Sequence, residues 1–232
     1  MLVMKFGGSS VRGGRQLRAV AEIVAAHRPA RPVVVASAMR GVTELLLVAA
    51  DAAARGERRS PRRIVLTLEE DHSQAIDEAL DSRARRAEAR LGVAGTLFRL
   101  DAALADLASA RRLTATARDR IASAGEGCLV PILAAVLRDR GLPARAVEAD
   151  RLVGDEDRPG QTDDGAAGRT AALVRPLVGA GLIPVLGGSD LSASLLAQAL
   201  DAGKVWIWTE REAARPTAPR PLAGTRAVLA LS

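Results

Sequence analysis

The chemistry in this chain starts from one short stretch, KFGGSS at residues 5–10, where an apolar strand runs into two glycines and two serines. Gly7 and Gly8 allow backbone N–H groups to come close to a phosphate, and the helix that follows would present its positive end to the same anion. Lys5 stands two residues before the glycines and adds a compact cationic amine that could reach over the loop. Of the 33 basic residues only Lys5 and Lys204 are lysines and the rest are arginines, so lysine at this position stands out. The order is not the Walker pattern, in which lysine follows the glycines at the helix start, and it is not G-x-G-x-x-G. A glycine pair after a strand is also an ordinary turn. Lys204, at the start of an apolar run, reads as a strand edge more readily than as a ligand.

Apolar periodicity supplies the frame for that loop. LVMKF (2–6), PVVVASAM (32–39), PARAVEA, LIPVL, KVWIWTE and AVLAL read as strands, several as unbroken apolar runs suited to burial on both faces. Between them lie helical patterns: RQLRAVAEIVAAH, GVTELLLVAADAAARG ending at Gly56, and a charged stretch from 60 to about 120 that forms a helical layer. Within that layer Ser60 and Pro61 read as a cap and first helical residue. A helix from about 126 to 140 carries Pro131 near its first turns, and SDLSASLLAQALDAG makes the last long helix. Strands alternating with helices predict an α/β fold with a mostly parallel sheet covered on both faces. Ligands in such sheets bind at the carboxyl ends of the strands, where the loops 7–10, 37–43 and 187–190 fall.

Composition narrows the function classes. Hydrophobic residues make up 48% of the 232, enough for one domain with a proper core, while aromatics make up only 2%, leaving little for base stacking. Net charge is +6, but Asp and Glu alternate with Arg in runs such as DSRARRAEARL, a pattern of solvated helix faces rather than a nucleic-acid stripe. The single cysteine, Cys128, sits in an apolar helix and reads as packing; no zinc or disulfide spacing is present. His27 and His72, the only histidines, fall on charged helices and are expected at the surface, so histidine base chemistry is not expected. Trp206 and Trp208 alternate on one strand and read as core. With no leader and no apolar run approaching the ~18 residues that span a bilayer, a soluble cytoplasmic protein with neither membrane nor nucleic-acid partner is expected.

Four blocks taken together resemble the aspartokinase branch of the amino acid kinase family: VMKFGGSSV, VVVASAMRGVTELLL, GEGCLVPILAAVLRDRGLPARAVEA and GGSDLSASLLAQALDAGKVWIWTE, in that order. The resemblance implies a three-layer αβα sandwich with a mostly parallel, roughly eight-stranded sheet, as a single domain over residues 1–232. It implies transfer of the γ-phosphoryl group of Mg²⁺-ATP to the side-chain carboxylate of aspartate, giving an acyl phosphate, with no fixed protein site for the metal. On that basis Lys5 neutralises the transferring phosphoryl group while Gly7, Gly8 and Ser9 supply backbone donors. Ser37 and Thr43 approach the reacting carboxylate, and Glu126 faces the substrate ammonium. Asp190 orients Lys5 or the phosphates, next to Gly188 and Ser189, and Thr209, Glu210 and Arg220 belong to the nucleotide loop. Plainer readings stand beside these: Glu126 as a helix-start carboxylate, and Ser189 or Asp190 as a simple N-cap. A homo-oligomer, or pairing with another kinase subunit, is also expected.

The sequence departs from that family pattern in three places. The glycine-rich hairpin before GGSD is missing, and Leu186 stands where an arginine would hold the substrate carboxylate; Arg40 or Arg169 is the expected replacement. In the nucleotide loop, TEREAARPTAPR replaces the family's aspartates and glycine. The chain stops where the family continues into regulatory domains, so feedback through such domains is not expected. Three functions follow: an aspartate kinase, a non-catalytic homologue that binds phosphate or nucleotide or pairs with a full-length kinase, and a kinase for another small carboxylate, carbamate or phosphonate.

Overall fold

A computed structural model of the chain describes residues 1–148, 163–208 and 227–228. In chain order it runs β1 (Leu2–Phe6), a 3₁₀ turn (Gly8–Val11), α1 (Gly14–Ala26), β2 (Pro32–Ala36), α2 (Val42–Ala54), α3 (Arg59–Ala79), α4 (Arg83–Ala110), α5 (Ala115–Asp139) and β3 (Ala144–Ala146). It continues with α6 (Asp163–Gly179), β4 (Ile183–Gly187), α7 (Asp190–Ala199), β5 (Lys204–Trp208) and β6 (Ala227–Val228). Among the described residues the sheet has six strands in the order β3-β4-β2-β1-β5-β6, every pair parallel. It is thus a parallel α/β sandwich, with six strands among the described residues against the roughly eight expected. One cause is visible in the chain: β4 runs through Gly188 and Ser189 straight into α7, with no hairpin between them.

Strand alternation divides the core in two. Met4, Phe6, Val34, Ala36, Val185 and Trp208 pack with the helices α1–α5, and Val3, Val33, Val35, Leu186 and Val205 pack against α6 and α7. β1, β2 and β4 are buried along their whole length, as central parallel strands must be. Lys5 shares the parity of Val3, in register with Val35 and Ile207, and so faces the α7 side at the carboxyl end of its strand.

The helical layer differs most from what the sequence suggests. α5 begins at Ala115, not near 126, and Pro131 lies well inside it. A proline there leaves the carbonyl four residues back without its helical donor. That carbonyl belongs to Gly127, and it accepts a hydrogen bond from Thr96 Oγ1 of α4 at 3.3 Å. That hydroxyl also faces the Gly92 carbonyl at 3.3 Å, so its one proton is shared, but it offers the open carbonyl a partner where the helix runs through Pro131. α5 is also long and apolar enough to cross a membrane by length and composition, contrary to expectation, yet most of it is buried inside the fold, as befits a core helix. α3 starts one residue before Ser60, with no side-chain cap, and Pro61 sits in its first turn.

His72 is not a surface residue: it is fully buried, one turn from Leu68 and Ile76 on the inner face of α3. Its Nδ1 donates to the Leu68 carbonyl at 2.6 Å, while Nε2 has no partner among the described residues. Desolvation pushes its pKa below the ordinary value. His27 is half-buried, its ring edge-on to Trp206 at 4.8 Å. Trp206 and Trp208 belong to the core, as expected, with Trp208 stacked on Phe6 at 4.9 Å. Cys128 is buried and free.

Candidate active site

At the carboxyl edge of the sheet the two glycine stretches meet. Lys5 is buried, with 6% of its surface exposed, and its Nζ lies 2.7 Å from Asp190 Oδ1 at the first residue of α7. A buried amine needs a partner, and Asp190, itself largely exposed, supplies one from the helix start. Ser189 rather than Asp190 caps α7: its hydroxyl accepts from the Ser192 amide at 3.2 Å, while the Ser192 hydroxyl accepts from the Ser189 amide at 3.3 Å. Capping by serine leaves the Asp190 carboxylate for Lys5. Ser192 was not picked out from sequence, although the S-x-x-S spacing of a capping box would have found it.

The loop after β2 completes the edge. The Ser37 amide donates to the Phe6 carbonyl at 3.1 Å and its hydroxyl to the Gly188 carbonyl at 3.4 Å, tying β1, β2 and the turn before α7 together. Gly8 is required by space as much as by ligand: a Cβ there would sit 2.9 Å from the Ala38 carbonyl oxygen. Two expected phosphate donors are already used, since the Gly7 amide donates to the Trp208 carbonyl at 3.0 Å and the Gly188 amide to the Ala36 carbonyl at 3.1 Å. The Gly7 bond closes the β1–β5 ladder just past Phe6.

Glu126 comes from the middle of α5, so it is not a helix-start carboxylate. It reaches the site because Gly187 has no side chain: a Cβ at Gly187 would fall 2.7 Å from Glu126 Cβ and 3.0 Å from its Oε2. Gly125 similarly lets α5 approach the 38–42 loop, where a Cβ would meet Ala38 Cβ at 2.8 Å and Val42 Cγ1 at 2.9 Å. Gly125 beside the helical glutamate, with Gly187 opposite, is the sequence signal for that close approach; Gly127 instead faces Thr96 of α4. Burial pushes the Glu126 carboxyl up to about 7, opposed by the nearby Lys5 ammonium.

Thr43 lies half-buried in the first turn of α2, on the side of the loop that carries Ser37. Leu186, where the family pattern has an arginine, is buried among Val33 and Val35 in the α6–α7 core and does not line the site. Arg40 is exposed, with its backbone against Gly8; Arg169 is exposed on α6. Thr209, Glu210 and Arg220 lie outside the described residues. Among the described residues no group of three or more His, Cys, Asp or Glu side chains could hold a metal.

Residues 1–213 match the amino acid kinase family. The chain belongs to that family. Within it the similarity runs to aspartokinases. Lysine-sensitive aspartokinase 3 of Escherichia coli is 28% identical, the match covering 98% of this chain and 53% of that protein; chloroplastic aspartokinase 1 of Arabidopsis thaliana is also 28% identical, over 90% of this chain and 40% of that one. The crystal structure of E. coli aspartokinase III in complex with aspartate and ADP superposes with a TM-score of 0.74 at 26% identity, covering 90% of this chain and 49% of the other. This kinase-family chain therefore spans about half the length of the relatives it matches.

Proposed function

We propose that this amino acid kinase homologue transfers the γ-phosphoryl group of ATP to the side-chain carboxylate of aspartate. The observation that carries the reading is the Lys5–Asp190 pair, 2.7 Å apart, at the sheet edge where Glu126 also arrives. In the reaction a carboxylate oxygen of the acceptor attacks the γ-phosphorus, the bond to the β–γ bridging oxygen breaks, and ADP leaves with its electron pair. Nothing covalent forms on the protein, whose share is positioning and charge. Lys5 stabilises negative charge on the equatorial oxygens, and Asp190 holds the amine in place. The Gly8–Ser9 turn and the positive end of α7 would face the phosphates. Mg²⁺, bound to the nucleotide, would offset phosphate charge. Glu126, once ionised, faces the acceptor's ammonium, with Ser37 and Thr43 beside the reacting carboxylate. The E. coli relative that was crystallised with aspartate and ADP supports the choice of both substrates.

A non-catalytic homologue is the second reading, favoured by Leu186 being buried in the core where an arginine would grip the substrate. The two readings separate in a hydroxamate trap for acyl phosphate with Mg²⁺-ATP and aspartate. Product that disappears in Lys5→Ala supports the kinase; no product above background from the folded wild-type chain rejects it.

A further inference from the structure

On the far side of α5 from Glu126 lies a cavity of about 310 Å³ between α4, α5 and the end of β3, within the usual size range of small-ligand sites. Its lining mixes apolar side chains, including Leu100, Ile121, Val130 and Pro131, with polar ones, and two arginines, Arg99 and Arg120, border it. Neither arginine forms an ion pair among the described residues; Arg99 Nη2 donates to Thr96 Oγ1 at 3.3 Å. Thr96 is buried and is the residue that bridges to the Gly127 carbonyl left open by Pro131. The cavity is therefore walled by a specific α4–α5 contact rather than by loosely packed helices. Glycines line it as well. A side chain at Gly92 would strike Pro131 Cβ at 2.5 Å, whereas a Cβ at Gly95 would have only Arg99 Nη1 within reach, at 3.9 Å.

We infer that this cavity is a second ligand site, distinct from the Lys5–Asp190 edge, for a small monocarboxylate with an apolar body. Two guanidiniums without an ion pair among the described residues suit a carboxylate. Glu148, also on the lining, leaves a net single positive charge, which matches a monoanion and not a nucleotide polyphosphate. The apolar wall takes a branched hydrocarbon body. Ser123 and Gly127, on the lining, flank Glu126 on the same helix, so α5 is the wall shared by the two sites. This inference does not depend on the kinase reading.

Isothermal titration of the full chain with 4-methylpentanoate and with 3-methylbutanoate tests it. Saturable binding of either one is expected, weakened about tenfold or more by Arg99→Ala or Arg120→Ala, and abolished by Gly95→Leu, which fills the space from a position that accepts a side chain. Lys5→Ala should leave that binding unchanged. Absence of saturation for both probes up to about 10 mM, the concentration range of millimolar ligands, overturns the inference. Binding that survives Gly95→Leu and the double arginine variant, or that is lost in Lys5→Ala, also overturns it.

Discussion

Lys5 and Glu126 carry opposite charges at one sheet edge and are held there in opposite ways. Lys5 grows from a central strand, and its buried amine is balanced at 2.7 Å by Asp190. Glu126 grows from mid-helix and has no hydrogen-bond or ion-pair partner among the described residues; burial alone pushes its carboxyl up to about 7. The lysine side is complete without a ligand, whereas the glutamate side is costly until a cation arrives. On the proposed reading, a site arranged this way would bind phosphate at a built cation and would select an ammonium-bearing acceptor with a carboxylate that gains most from meeting one.

The largest break in that comparison comes from the complete side. Lys5→Ala should lower turnover by about 10²–10³, and Lys5→Arg should not restore it, because a planar fork does not replace a point charge beside Asp190. Steady-state rates with saturating substrates measure both.

Next comes the unbalanced side. Losing a charge-assisted contact of about 1.5–3 kcal/mol, Glu126→Gln should raise KM for aspartate roughly ten- to a hundredfold while changing kcat much less. Because the free carboxyl titrates near 7, wild-type KM should fall as pH rises from 6 to 8, and the variant's profile should be flat. A KM profile that is flat in the wild type removes Glu126 from acceptor binding.

Gly187→Ala sharpens the same point through packing. Its Cβ would crowd Glu126 Cβ at 2.7 Å, an overpacking worth about 1–3 kcal/mol, read from the urea midpoint together with a rise in KM.

The effect smallest per unit of the variable changed is a pair of pH slopes with opposite signs. The folded-state pKa of Glu126 is raised above its unfolded value, so its contribution to stability is complete below about 4.5 and is lost as pH rises through about 7. His72 is lowered by burial, so the unfolded chain takes up the proton first and stability falls as pH drops below 6.5. Each contributes at most about 1.4 kcal/mol per pH unit. Urea titrations should therefore show Glu126→Gln stabilising the ligand-free chain at pH 8 and His72→Leu removing the loss near pH 5.5.

Much of the frame was legible in the sequence because central parallel strands are continuous apolar runs: β1, β2, β4 and β5 lie where LVMKF, PVVVA, IPVLG and KVWIW stand. The lysine and the second glycine stretch were legible as well, since strand ends and helix starts converge in this topology. The failures share a cause in tertiary contact. Pro131 signals a helix start only if the Gly127 carbonyl is left without a partner, and Thr96, 31 residues away in sequence, offers it one. His72 looked exposed because its neighbours Glu69, Glu70 and Asp71 are charged, yet it lies on the buried face between Leu68 and Ile76. Gly7 reads as a phosphate donor until its amide is seen paired with the Trp208 carbonyl.

The two lysines of this chain allow the central claim to be tested residue by residue. With lysine side chains isotopically labelled, the amine spectrum should hold one signal from Lys5 and one from exposed Lys204. On addition of Mg²⁺ with a non-hydrolysable ATP analogue, the Lys5 signal should shift and saturate while Lys204 stays in place. A Lys5 signal that does not move at saturating nucleotide would contradict the assignment of this amine to the phosphates.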